Sequence, residues 1–177
     1  MSIVTDYLDA RGVPYEVIHH DPSTTSLDEA RALHVDADLV LKAVVIDTRG
    51  RHAIAVIPAS RRLDMHLVRE VLDDPAAHLA TENELQGDFP SIELGGAPVL
   101  GWLLDAETLV DPCVLKRDTV AFAAGTRTES VRVRTVDLFR GEHAAFVPIM
   151  STAEKSEETG SGGSSSVWMG PTAPRGQ

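Results

Sequence analysis

The stretch Leu39-Val40-Leu41-Lys42-Ala43-Val44-Val45-Ile46-Asp47, then Thr48-Arg49-Gly50-Arg51, then Ala53-Ile54-Ala55-Val56-Ile57 decides the class of fold. Two apolar runs of strand length, rich in Val and Ile, flank a short polar turn that contains a glycine, and this pattern reads as a β-hairpin. On its N-terminal side the signals are helical. Thr25 or Ser26 can cap a helix carrying Leu27, Ala30 and Leu33, with Asp28 or Glu29 in its first turn. Earlier still, Ile3, Val4, Tyr7 and Leu8 have helical spacing, Gly12 is placed to stop that helix, and Pro14 opens an extended run, Tyr15–His19. On the C-terminal side, Asp64 can cap a helix with Met65, Val68 and Leu72 on one face, and Thr81 a short one over Glu82–Leu85. Asp88–Gly101 is rich in Gly and Pro and reads as loop. Strands are expected at Thr108–Val110, Thr119–Ala123 and Ser130–Thr135, the last alternating Val131 and Val133 with Arg132 and Arg134, before a helical turn at Val136–Arg140. Hairpins mixed with separate helices argue for an α+β domain and not a βαβ parallel sheet.

Composition bounds the rest. A chain of 177 residues suits one domain, taken as residues 1–148, and a tail, 149–177. From Ser151 to Gln177, 13 of 27 residues are Ser, Gly or Pro, so this segment buries too little to offset its ordering entropy and is expected to be disordered. Trp168 and Met169 are its only bulky apolar residues, and a partner motif would have to use them. The single cysteine, Cys113, excludes an internal disulfide and a cysteine-based zinc site and suits a reducing, cytoplasmic compartment. In Asp111-Pro112-Cys113-Val114 it reads as buried filler and not as a catalytic thiol. The first ten residues contain acids and no long apolar run, which is unlike a signal peptide, and no apolar stretch reaches the roughly 18 residues that span a bilayer. The net charge of −11 argues against gripping a long nucleic-acid duplex and favours contact with the end of an RNA or a small ligand.

Several pieces occur in an order that resembles the YbaK/prolyl-tRNA-synthetase-associated domain. They are Gly12-Val13-Pro14-Tyr15, the run ending His20-Asp21-Pro22, the capped helix Ser26–Leu33, and the strand Val40-Leu41-Lys42-Ala43-Val44-Val45. Val56-Ile57-Pro58, Arg62-Leu63-Asp64, the loop Glu93-Leu94-Gly95-Gly96-Ala97-Pro98-Val99-Leu100-Gly101 and Phe122-Ala123-Ala124-Gly125 follow. The resemblance spans roughly residues 1–140. It implies a compact α+β domain with a mixed, curved, barrel-like sheet flanked by helices. It also implies a metal-independent hydrolase without cofactor that removes a small amino acid such as Ala, Cys or Ser from a mischarged tRNA in trans. Its partners would be the tRNA acceptor end and an aminoacyl-tRNA synthetase, with no membrane.

Lys42 is the leading candidate. A lysine within an apolar strand is costly to desolvate unless it meets a negative group. It can hold the 3′-terminal phosphate or polarise the ester carbonyl. The competing reading is an edge-strand lysine with its head in solvent. Gly95 and Gly96 can bring free N–H groups to a carbonyl oxygen, with Ala97 and Pro98 completing and stiffening the loop. Alone, this loop also reads as an ordinary turn. His20, at the position the family uses, Arg62 at a strand-to-helix junction, and Gly125 and Arg127 near the last strand are candidates for binding substrate. The seven histidines show no H-x₃-H or H-E-x-x-H spacing, which speaks against a metal. An aminoacyl ester is already activated, so a placed water and a polarised carbonyl suffice. In the family, a hydroxyl of the terminal ribose helps place that water.

Two positions depart from the family pattern: Val99 stands where members often have proline, and Arg127 where many have histidine. They support a second reading, a binding module without catalysis that holds a nucleotide, a small ligand or a protein.

Overall fold

The computed structural model describes residues 2–93 and 95–152; the Ser/Gly/Pro-rich tail with Trp168 and Met169 lies outside them. The hairpin stands as expected. β2 (Leu41–Thr48) and β3 (Arg51–Pro58) pair antiparallel from Leu41↔Pro58 to Thr48↔Arg51. Their two-residue turn has positive φ at both Arg49 (47°) and Gly50 (74°), the turn whose twist matches that of the strands. The Arg49 side chain donates to the Asp73 carbonyl oxygen at 2.8 Å, which helps hold a non-glycine residue there.

The helices start where side-chain oxygens can cap them. Ser2 caps α1 (Ile3–Ala10), Thr25 caps α2 (Ser26–Ala32), Asp64 caps α3 (Met65–Leu72) and Thr81 caps α4 (Glu82–Asp88). Gly12 follows α1 at φ 62°. The remaining strands are β1 (Tyr15–His19), β4 (His78–Leu79), β5 (Glu107–Val110), β6 (Thr119–Ala123), β7 (Glu129–Arg134) and β8 (Ala144–Phe146). A last short helix, α5, covers Thr135–Leu138.

The mixed sheet expected from the sequence is divided in two. One sheet has the order β1-β7-β6 and is antiparallel throughout; the other has the order β4-β2-β3-β5-β8. In the second, β5 lies parallel to β3 and β8 parallel to β5, which makes it mixed. An isolated parallel bridge, Val40↔Ala121, joins the two sheets.

β3 is the central strand and is buried on both faces. Ile54 and Val56 enter a core shared with Phe122, Val131, Val133 and Leu8, so that both sheets and α1 close on one apolar interior. Ala53, Ala55 and Ile57 face a second core with Val68 of α3, Leu109 and Ile149. A third cluster seats α2 on the bridge between the sheets, through Ala30, Leu33, Val40 and Ala121.

The packed chain runs past the boundary expected at residue 148. Ile149 is fully buried, its N–H donates to Asp111 at 3.0 Å, and its carbonyl oxygen accepts from Asp64 N–H at 2.8 Å. Ser151 N–H donates to the Arg62 carbonyl oxygen at 2.8 Å. Among the described residues no helix is long and apolar enough to cross a membrane.

Candidate active site

Among the described residues, β2 carries no neighbouring strand on its outer side between Val40, bridged to β6, and Ile46, paired with β4. The Val40 carbonyl oxygen is taken from the β3 side by Ala59 N–H at 2.7 Å, and that of Val45 from the opposite side by Ala80 N–H at 2.9 Å. Backbone groups alternate along a strand, so the N–H and C=O of Ala43 point outward. A cavity of about 280 Å³ opens at this edge. It is lined by Thr24, Thr25, Ser26 and Glu29 at the start of α2, by Leu79 and Leu85, and by Gly95, Ala97 and Ala123.

Lys42 is half-buried and stands at the rim. Its Nζ donates to the Arg61 carbonyl oxygen. It lines the cavity and also a neighbouring groove of about 550 Å³ that contains Val44, Arg62, Asp64, Met65 and Ser151. The ammonium is therefore neither a head lost in solvent nor a sealed charge.

Among the described residues that line the cavity, the only carboxylate belongs to Glu29, which is 3% exposed. The Ser130 hydroxyl of β7 is hydrogen-bonded to Glu29 Oε1, and His20 Nε2 lies 2.8 Å from the same Ser130 oxygen. Burial pushes the Glu29 carboxyl above its ordinary range; the Ser130 hydroxyl and the charge of His20 oppose that rise. His20 thus does not line the cavity and reaches it through Ser130.

The glycine loop differs from the expectation of two free donors. Gly96 N–H is spent on the Glu93 carbonyl oxygen at 2.8 Å, in a turn. A Cβ on Gly95 (φ 85°) would stand 2.7 Å from the Thr24 oxygen, and one on Gly96 would stand 3.0 Å from the Gly125 backbone. These glycines let three backbone segments pack together. Gly95 and Ala97 line the cavity; Gly96, Pro98 and Gly125 do not.

Arg127 is likewise outside the cavity and borders a separate surface groove of about 620 Å³ with Glu93. Its Nε donates to the Ser23 carbonyl oxygen at 3.1 Å and its backbone N–H to Glu93 Oε2 at 2.8 Å. It is a clamp between the segment before α2 and the glycine loop. Near the cavity mouth, folding also gathers Asp47, His78 and Glu84, whose ligand atoms lie within 4.8 Å of one another. Glu84 is already engaged there by the Thr81 cap and by His78 at 3.6 Å.

The family model of the aminoacyl-tRNA editing domain matches residues 20–140, a span that takes in every wall of this cavity. The chain belongs to the aminoacyl-tRNA editing domain family. No curated protein sequence matches it. Among solved structures, the editing domain is similar to the hypothetical protein APE2540, with a TM-score of 0.76 and 22% identity over 84% of this chain and 99% of that one. It is also similar to a protein described as a candidate trans-editing enzyme for prolyl tRNA synthetase, with a TM-score of 0.73 and 21% identity over 84% and 95%. At such identities the likeness is one of fold.

Of the residues expected from the sequence, the editing domain brings Lys42, Gly95 and Ala97 to one cavity, with His20 behind its wall. Arg62 shares the adjoining groove with Lys42. Glu29 and Ser130 were not among them. The signal for Glu29 was present, because it lies one helical turn before Leu33 and beside Ala30, both buried.

Proposed function

We propose that this editing domain hydrolyses, in trans, the ester of a tRNA mischarged with a small amino acid such as Ala, Cys or Ser. One observation carries the reading: a cavity of about 280 Å³ at the outer edge of β2, with Lys42 at its rim. That volume lies just under the roughly 300–1,000 Å³ of ordinary ligand pockets, so it suits an aminoacyl group and leaves the nucleotide outside. The family membership and the fold shared with a candidate trans-editing enzyme support it.

In this reading Lys42 takes the 3′-terminal phosphate at the junction of cavity and groove, and Arg62 adds charge along the groove. The outward N–H of Ala43 polarises the ester carbonyl. Water adds to the carbonyl carbon, the bond to the ribose oxygen breaks, and that oxygen leaves with a proton. The apolar walls set by Leu79 and Leu85 exclude larger side chains by contact; separation by one methylene gives only about 10–200-fold.

The test is hydrolysis of Ala-tRNA^Pro, Cys-tRNA^Pro and Ser-tRNA by the wild type and by Lys42→Ala. The expected result is turnover above the spontaneous rate, falling at least about tenfold in the variant, or about 1.4 kcal/mol of barrier. One observation favours a second reading, a binding module without turnover: the Gly96 N–H is committed to Glu93 and does not face the cavity. Binding of the tRNA end with no turnover on any ester of the panel selects it.

A further inference from the structure

With three protons shared among its members, the Glu29–Ser130–His20 chain can be closed in two ways. His20 Nδ1 lies 2.8 Å from the Asp21 carbonyl oxygen, which can only accept, so Nδ1 carries a hydrogen. Ser130 is fully buried and has one hydroxyl hydrogen to give. If it gives that hydrogen to Glu29, His20 Nε2 must donate to the serine oxygen; Glu29 is then a carboxylate and His20 an imidazolium. If Ser130 gives it to Nε2, the Glu29 carboxyl must be protonated and must donate to Ser130; His20 is then neutral. The two arrangements have the same number of protons and the same net charge. They differ in whether one proton sits on the cavity side or on the His20 side of Ser130.

What occupies the cavity decides between them. Glu29 is 3% exposed, and burial of this depth favours the neutral form of its carboxyl while the cavity holds no cation against it. A cation placed against Glu29 favours the carboxylate, and the proton then has a ready acceptor in Nε2. An aminoacyl ester brings a cation with it, the α-ammonium group. Lys42 at the rim repels that group, which orders the ligand with its ammonium at Glu29 and its phosphate at Lys42.

We propose that Glu29 anchors the α-ammonium group of the aminoacyl ester, and that its proton passes through Ser130 to His20 as the ligand enters. The Glu29 O–H bond breaks as a Ser130 O–H bond forms, and the original Ser130 O–H bond breaks as Nε2–H forms. Nothing outside the three residues and the ligand is needed. The consequence is a requirement for a free amino group, so N-acylated and peptidyl esters are rejected. The deacylase reading supplies the identity of the ligand, and the anchor rests on it to that extent.

The probes are adenosine carrying L-alanine through a 3′-amide, which is not hydrolysed, and its N-acetyl form. The expected result is that the wild type binds the free-amine probe about tenfold or more tightly than the acetylated one, by calorimetry. Glu29→Gln abolishes that preference. The ¹⁵N signal of His20 Nε2 moves towards imidazolium when the free-amine probe binds and stays in place with the acetylated probe; in Ser130→Ala the response is lost. Equal affinities for the two probes in the wild type, or no binding of the free-amine probe at millimolar concentration, overturn the anchor without recourse to any variant. A preference that survives in Glu29→Gln overturns it as well. Selective binding with no turnover of any ester refutes the deacylase reading and leaves the anchor, whereas equal hydrolysis of Ala-tRNA and N-acetyl-Ala-tRNA refutes the anchor and leaves the deacylase.

Discussion

At Gly95 a single added methyl group would meet the Thr24 carbonyl oxygen at 2.7 Å, with φ at 85°, so the glycine loop and the lead-in to α2 are fitted to each other. Gly95→Ala is expected to destabilise the domain by about 1–3 kcal/mol and to lower deacylation with it. Gly125→Ala is the control, since φ is 101° there but no atom lies within 4 Å, and its effect should stay at the low end of that range. Denaturant midpoints compare the two. Cys113 is the opposite case, a reactive atom made quiet. Burial, with the Asp111 carboxylate beside it, pushes the thiol up to about 12, so alkylation by iodoacetamide at pH 8 should be far slower in the native protein than in urea. Asp74 is held below the usual carboxylate range, first by the Thr48 hydroxyl at 2.7 Å and then by Ala76 N–H and Arg49. Its folded value lies below its unfolded value, so its contribution is present above the unfolded value of about 3.9 and is lost as pH falls through the folded one. The difference in melting temperature between the wild type and Asp74→Asn should therefore narrow on acidification.

The Asp64 side chain accepts from His66 N–H at 2.9 Å and from Leu67 N–H at 3.4 Å. Asp64→Ala should cost about 1 kcal/mol, read from thermal melts, by freeing the start of α3. Elements of this kind were legible in the sequence, because a capping oxygen followed by an apolar stripe is a local signal, as at Thr25, Asp64 and Thr81. The hairpin was legible for the same reason, its turn and both strands lying within one short stretch. β4 and β8 were not, since two and three residues are too few to show alternation. The parallel pairing of β3 with β5 is fixed by how distant segments pack, which no local pattern records. Glu29 was open to a bland explanation, an acid that suits the positive end of a helix. Only the fold shows it turned inward to Ser130, a residue 101 positions away in sequence. Lys42 stood out because a charge interrupts an apolar strand, while the commitment of Gly96 N–H to Glu93 could be learned only from the loop's path.

For the molecule as a whole, residues 147–152, which follow β8, are a structural part of the packed domain. Ile149 fills the second core, and Ile149→Ala should cost about 2–5 kcal/mol, measured by chemical denaturation. A chain ending at Thr152 should keep the melting temperature of the full chain, and one ending at Pro148 should lose much of it, because Asp64 and Asp111 then lose their partners. The pairing of β1 with β7, Tyr15 against Val133, has a consequence for synthesis on the ribosome. The hairpin β2–β3 can close as soon as its few residues emerge, yet apart from α1 with Leu8, the parts that cover its two apolar faces, Phe122, Val131 and Val133 on one side and Val68, Leu109 and Ile149 on the other, are made later. A nascent chain stalled just after Pro58 therefore presents a paired, sticky ribbon with one face bare and the other covered only by α1, and at that point the emerging protein is most in need of a chaperone.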